Sequence, residues 1–288
     1  MALEDSDVFT RLERFYDAVH RDAAVAEEIG GFVLFVNDGG GWPFYARPRL
    51  GGTATPSAAD ITAVRQRQRD LGIPEAFEWV HETTPDLLAV ARSGGLDVLL
   101  APLMVLESAA LVPDLPLPGA QIRFLDPSAP SFRADLDASR AVGRLGFGAP
   151  ANVTAVQAGS LVVEVAGPEQ RDAVPPLGDD DVAQLTRRHS SGRLVSAVVE
   201  SPEAGILTCG TALCAGAVAE IAGVATLPSA RRRGYASQLT ASLARRALHD
   251  GADLILLSAG DDDVARLYSK VGFRRIGTAC IAEPAALL

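Results

Sequence analysis

The residues best suited to chemistry lie between Val218 and Ala236. Residues 218–226 form an apolar run whose one charge is Glu220, and the chain then turns through Arg231, Arg232, Arg233, Gly234, Tyr235 and Ala236. An apolar strand that feeds a cationic turn and opens a helix is a site for a multiply charged phosphate ligand. The N–H groups of the first helical turn point at the anion, and the helix dipole favours it. Gly234 has no Cβ to keep ligand and backbone apart. The bland alternative for the arginines is a solvated turn. Glu220 is a candidate general base, because burial among apolar neighbours would push its ionisation toward neutral pH. Its alternative is an outward-facing strand carboxylate, since strands alternate faces. Tyr268 offers a phenolic O–H donor; its alternative is an aromatic packed on a helix face.

These residues need a frame to hold them, and the pattern of apolar residues supplies one. Residues 121–125 read as a short strand, 132–147 as a helix, and 160–165 as a strand or helix edge. Residues 179–189 read as a helix opened by an acidic cluster. Strands at 194–200 and 206–212 flank a hairpin turn, and a third covers 218–226. The helix 235–249 follows the arginine turn. Residues 253–258 are a continuous apolar strand of the kind covered on both faces; 262–271 is a helix and 273–281 a last strand. Residues 205–228 are long, apolar and carry one charge, which invites a membrane reading. They are rich in Gly, Ala, Thr and Cys and break at Ala215-Gly216, so two buried strands joined by a tight turn fit better.

The first part of the chain is organised similarly. Residues 32–36 and 42–47 read as paired strands, 59–71 as a helix, 76–81 as a strand, 85–93 as a helix, and 96–106 as a long strand or strand pair. The stretch DLLAVARSGGLDV can be laid on VARLYSKVGFRRI, with Gly95 opposite Gly272, Leu96 opposite Phe273 and Ala91 opposite Tyr268. No arginine–glycine turn precedes the 59–71 helix. The proline-rich residues 111–120 form the natural linker, giving an N-terminal α/β domain at 1–112, a linker at 113–120 and a second domain at 121–288.

At 288 residues with 48% apolar content, the chain can bury two cores. A net charge of −10 makes nucleic acid a poor partner and mildly favours a cationic one. Nearly all basic residues are arginine, Lys270 being the single lysine, which with the high alanine content reads as a GC-rich, bacterial coding bias. Cys209, Cys214 and Cys280 are odd in number and lack metal-ligand spacing, so reduced thiols, a cytoplasmic location and no metal are expected. The acidic start of the chain has no apolar core and reads as no signal peptide.

The turn Arg231-x-x-Gly234-x-Ala236 resembles the pyrophosphate loop of the GCN5-related N-acetyltransferases. Two more features share that resemblance. AGDDDVARLYSKVGF resembles the family's segment N-x-x-A-x-x-L-Y-x-x-x-G-F, and Glu220 stands at the spacing of the catalytic glutamate of the histone-acetylating members. The likeness covers residues 195–283 and extends back to Gly119. It departs at Asp261, where Asn is usual at the helix start, and at Val264, where Ala is usual.

The resemblance implies an α/β fold, the acyl-CoA N-acyltransferase fold, for residues 121–288. It makes the N-terminal domain a candidate degenerate half-copy. It implies acetyl-CoA as co-substrate, held by the amides of Arg233, Gly234, Tyr235 and Ala236 and by the charges of Arg231 and Arg232. Backbone contacts of Val224 and Thr226 would run along the pantetheine arm. Glu220 would accept the amine's proton and Tyr268 would protonate the departing thiolate. Direct attack is expected, because no Cys–His nucleophile pair is evident. The acceptor is expected to be a small amine, with no nucleic acid or membrane partner; the oligomeric state stays open. The rivals are an acyltransferase using a longer acyl-CoA and a noncatalytic acyl-CoA-binding module. Trp42, Tyr45, Glu78 and Trp79 are candidates for lining an acceptor cleft, with core packing as the alternative, and His81 is more simply structural.

Overall fold

The computed structural model describes residues 5–37, 45–148 and 165–285. They divide into two compact units: Met1–Val105 with Leu256–Ser269 and Arg274–Leu288, and Leu106–Ile255 with Lys270–Phe273. This division differs from a simple split at the proline-rich linker, because the last helix and strand group with the first unit.

The first unit begins with α1 (Asp5–Arg21), which buries Val8, Leu12, Phe15, Tyr16 and Val19, a single apolar stripe at helical spacing. Strands β1 (Ala24–Ile29), β2 (Phe32–Asn37) and β3 (Ala46–Pro48) pair antiparallel in order. Helix α2 (Ala58–Asp70) opens with a capping box: Ser57 Oγ accepts from the Asp60 amide, and the Asp60 carboxylate accepts from the Ser57 amide at 2.8 Å. Then come β4 (Phe77–Val80), parallel to β3, helix α3 (Leu87–Ser93), and β5 (Leu96–Leu106), a single long strand. Phe32, Leu34, Ile61, Val64, Phe77 and Trp79 form the heart of this core. The expected strand at 42–47 is described only from Ala46, and the 160–165 segment lies almost wholly outside the described residues.

The second unit contains β6 (Gln121–Phe124), α4 (Phe132–Gly148), the short α5 (Pro168–Asp172) and α6 (Asp179–Ser190). Three strands follow, β7 (Leu194–Ser201), β8 (Gly205–Ala215) and β9 (Val218–Thr226). They form the antiparallel run β6-β7-β8-β9. The β8–β9 turn passes through Gly216 at φ +58, so the long apolar stretch is a hairpin. Among the described residues no helix is long and apolar enough to cross a membrane. Helix α7 (Tyr235–His249) packs on β7, β8 and β9.

The chain closes with β10 (Leu254–Ser258), α8 (Asp262–Val271) and β11 (Phe273–Pro284). In the first unit the strand order is β1-β2-β3-β4-β11-β5-β10. Leu103, Met104 and Val105 of β5 pair with Ser258, Leu257 and Leu256 of β10. Cys280, Ile281 and Ala282 of β11 pair with Trp79, Glu78 and Phe77 of β4. Laying Gly95 on Gly272 puts Leu103–Val105 on Cys280–Ala282, residue for residue. Each strand–helix–strand segment therefore gives its last strand to the other's first, the two pairings being offset by two residues under that alignment. Gly95 and Gly272 both have positive φ, +77 and +121, where each chain leaves its helix.

Candidate functional site

Strand β9 ends at Thr226, and a 3-10 turn at Pro228–Ala230 leads into the arginines. Arg231 is extended, Arg232 is left-handed at φ +65, and Gly234 is left-handed at φ +79. A left-handed arginine is uncommon and costs about 1–2 kcal/mol. Gly234 is the N-cap of α7, so no N-cap side chain satisfies the first amides of that helix, and its first turn holds no acidic residue. A Cβ on Gly234 would meet nothing within 4 Å, so the space above the helix start is open. Arg232 and Arg233 are exposed, whereas the Tyr235 side chain is buried and only its backbone serves the helix start.

Helix α2, which follows β3 as α7 follows β9, is the informative contrast. The Asp60 carboxylate fills its helix start, and hydrogen bonds from the Ser57 and Gly31 amides hold that carboxyl below its usual range. The anion position at α2 is therefore taken by the chain's own carboxylate. At α7 the first turn carries no acidic residue, and a helix start of that kind suits an anionic group.

Glu220 lies opposite Leu213 on β8 and is partly buried. Between Cys209 and Thr211 the β8–β9 register shifts: Cys209 faces Ala225 while Thr211 faces Ala222. Gly223, at φ +63, and Val224 thus oppose Gly210 alone, which is a β-bulge. Gly210 makes room for it, since a Cβ there would stand 3.1 Å from Val224 Cγ2 and 3.2 Å from Leu243 of α7. Val224 consequently points toward α7. Leu213, Thr211 and Cys209 alternate onto the other sheet face, where Gly143 and Gly146 of α4 approach Cys209 and Ala225. Glu220 shares that α4 face. Thr226 receives a hydrogen bond from the buried Thr208 hydroxyl at 3.1 Å. Sequence reading missed the bulge, although an isolated glycine inside a strand pattern is its usual sign.

Tyr268 is carried by α8 in the first unit and is 8% exposed. The helix start is intact despite the change from Asn, because Asp261 Oδ1 accepts from the Val264 amide at 2.8 Å. Glu220, Val224, Thr226 and the arginine turn belong to the second unit.

Of the remaining candidates, Trp79 and Glu78 pack within the first unit. Trp79 is 1% exposed in the first unit's core, so core packing, not cleft lining, is its place. Glu78 is bound to buried Arg47 at 2.6 Å, and burial pushes its carboxyl up against the pull of that arginine. Arg47 also stacks 3.9 Å over Tyr16. The His81 amide donates to Thr278 O at 2.9 Å, and Trp42 lies outside the described residues. Burial pushes the thiols of Cys209 and Cys280 up to about 12, and that of Cys214 up as well. None of the three is set up as a thiolate nucleophile. Among the described residues no cluster of three metal-ligating side chains occurs.

Residues 209–282 match the family described as FR47-like protein. They run from the bulged hairpin through the arginine turn to β11. A GCN5-related N-acetyltransferase from Kribbella flavida superposes with a TM-score of 0.67 at 19% identity, covering 97% of this chain and 96% of its own. The fold is that of the GCN5-related N-acetyltransferases. A GCN5-related N-acetyltransferase-like protein from Streptococcus suis gives a TM-score of 0.52 at 13% identity, covering 97% of this chain and 99% of its own. A tandem GNAT protein from the clavulanic acid biosynthesis pathway gives 0.52 at 14% identity, covering 90% and 80%. No curated protein matches the chain.

Proposed function

We propose that this protein is an N-acetyltransferase that moves an acetyl group from acetyl-CoA to a primary amine of a small acceptor. One observation carries the reading. The start of α7 is an uncapped, open anion cradle with exposed arginines, while the matching start of α2 is filled by Asp60. Backbone amides of residues 233–236, with Arg232 and Arg233, would hold the pyrophosphate. The bulge at Gly223 and Val224 interrupts regular strand pairing, and the backbone of Val224 and Thr226 would run along the pantetheine arm.

In the reaction we infer, the amine nitrogen attacks the thioester carbonyl. The C–N bond forms, the C–S bond breaks, Glu220 takes the ammonium proton and Tyr268 protonates the leaving thiolate. The three cysteine thiols, all pushed toward the neutral form, favour this direct transfer over a covalent acyl-enzyme. We further propose that residues 1–112 are a degenerate copy of the fold in 121–288, on the strength of the reciprocal exchange of last strands between the two strand–helix–strand segments, and that only the second copy takes a cofactor. Reduced cysteines and net charge −10 fit a cytoplasmic enzyme that does not act on nucleic acid.

An amine panel assayed by thiol release from acetyl-CoA tests the activity. Amine-dependent release is expected. Cofactor binding without release for any amine would favour a noncatalytic acyl-CoA-binding module.

A further inference from the structure

We propose that Arg231 is a positioning residue that clamps the last turn of α4 to the start of the arginine turn. It acts through α4 and not as a grip on phosphate. Arg231 Nη2 donates to Gly146 O at 2.6 Å. α4 ends at Gly148, so that carbonyl is among the last four of the helix, which lack an intrahelical donor. A cation at a helix C-terminus satisfies the carbonyl and the dipole together. Arg231 is partly buried while Arg232 and Arg233 are exposed, so the three arginines divide their work.

The same turn of α4 is pressed onto β9 from the other side. A Cβ on Gly146 would stand 3.0 Å from Ala225 Cβ and 3.2 Å from Thr226 O, so a larger residue would have to push the strand back by a few tenths of an ångström. Glycine packing and the Arg231 hydrogen bond thus pin one helix end over the sheet face that carries Glu220. Releasing the clamp should loosen the α4 wall beside the base and disturb the acceptor more than the cofactor. The kinetic part rests on the function proposed above; the clamp itself does not.

The test compares Arg231→Ala, Arg231→Lys and Arg232→Ala in the full chain. Amide hydrogen exchange is read in the last turn of α4 without ligand, and KM is read for the amine and for acetyl-CoA. Arg231→Ala should speed exchange in that turn about tenfold or more, as expected for losing a charge-assisted hydrogen bond. It should raise the amine KM more than the acetyl-CoA KM. Arg231→Lys, which keeps one charged donor, should restore part of both, and Arg232→Ala should leave α4 exchange as it was. Unchanged α4 exchange in Arg231→Ala overturns the proposal, and so does a tenfold rise confined to the acetyl-CoA KM. A parent chain that does not bind acetyl-CoA would count against the proposed function, and the exchange comparison would still decide the clamp.

Discussion

Replacing Gly234 by alanine separates backbone strain from ligand contact. At φ +79 an L-residue pays about 1–2 kcal/mol relative to glycine. The new Cβ meets nothing within 4 Å, so no clash adds to that cost in the free protein. Gly216 in the β8–β9 turn is an internal control, with φ +58 and the same open surroundings. Both alanine variants should lose similar stability, a few degrees in Tm at roughly 2–4 °C per kcal/mol. Only Gly234→Ala puts a methyl where the pyrophosphate must approach. Losing one charge-assisted contact there costs about 1.5–3 kcal/mol, or roughly 10- to 100-fold in acetyl-CoA affinity. Calorimetry on both variants, beside their thermal melts, decides the matter. Equal affinities in the two proteins would refute the placement of the phosphate cradle.

Glu220→Gln should lower turnover most near neutral pH and less as pH rises, by about 10²–10⁴-fold at its largest; a flat pH–rate deficit would return Glu220 to a structural role. Tyr268→Phe should lower kcat with little effect on acetyl-CoA affinity, and calorimetry with steady-state kinetics checks the split. Arg47→Met should destabilise by about 3–5 kcal/mol by stranding the buried Glu78 carboxyl. Because the folded Glu78 carboxyl is pushed up, its protonated form is the one tolerated, so the deficit should grow as pH rises above the ordinary carboxylate range. Urea melts at pH 5 and pH 8 should therefore show the larger loss at pH 8. A protease site placed after Gly119 and cut in the folded protein should leave the two pieces associated, because β5 pairs with β10 and β11 with β4; separation on gel filtration would contradict that pairing.

Local signals were sufficient for the elements around the cradle. Strand β9, helix α7 and helix α8 have the bounds read from the sequence, because Gly216, Pro228, Gly234 and Gly272 punctuate clear apolar periods. Helix α1 is equally legible in the spacing of Val8, Leu12, Phe15 and Val19. Strand β1 was not legible: AVAEEI puts two adjacent carboxylates in a strand of uneven burial. The exchange of β5 and β11 leaves no local trace, since strand partners far apart in sequence are chosen by packing and not by propensity. The position of Trp79 depended on which face of a four-residue strand meets the core, and period-two patterning over so short a run does not fix that. The Arg231–Gly146 clamp joins residues distant in the chain, which only the folded chain brings together.

We propose one acetyl-CoA site per chain, built on the start of α7 and absent from the start of α2. Calorimetric titration of the full chain with acetyl-CoA tests it most directly. Micromolar binding at one site per chain is expected, lost when Gly234 is replaced by valine. Two equivalent sites per chain, or no binding at all, would contradict it.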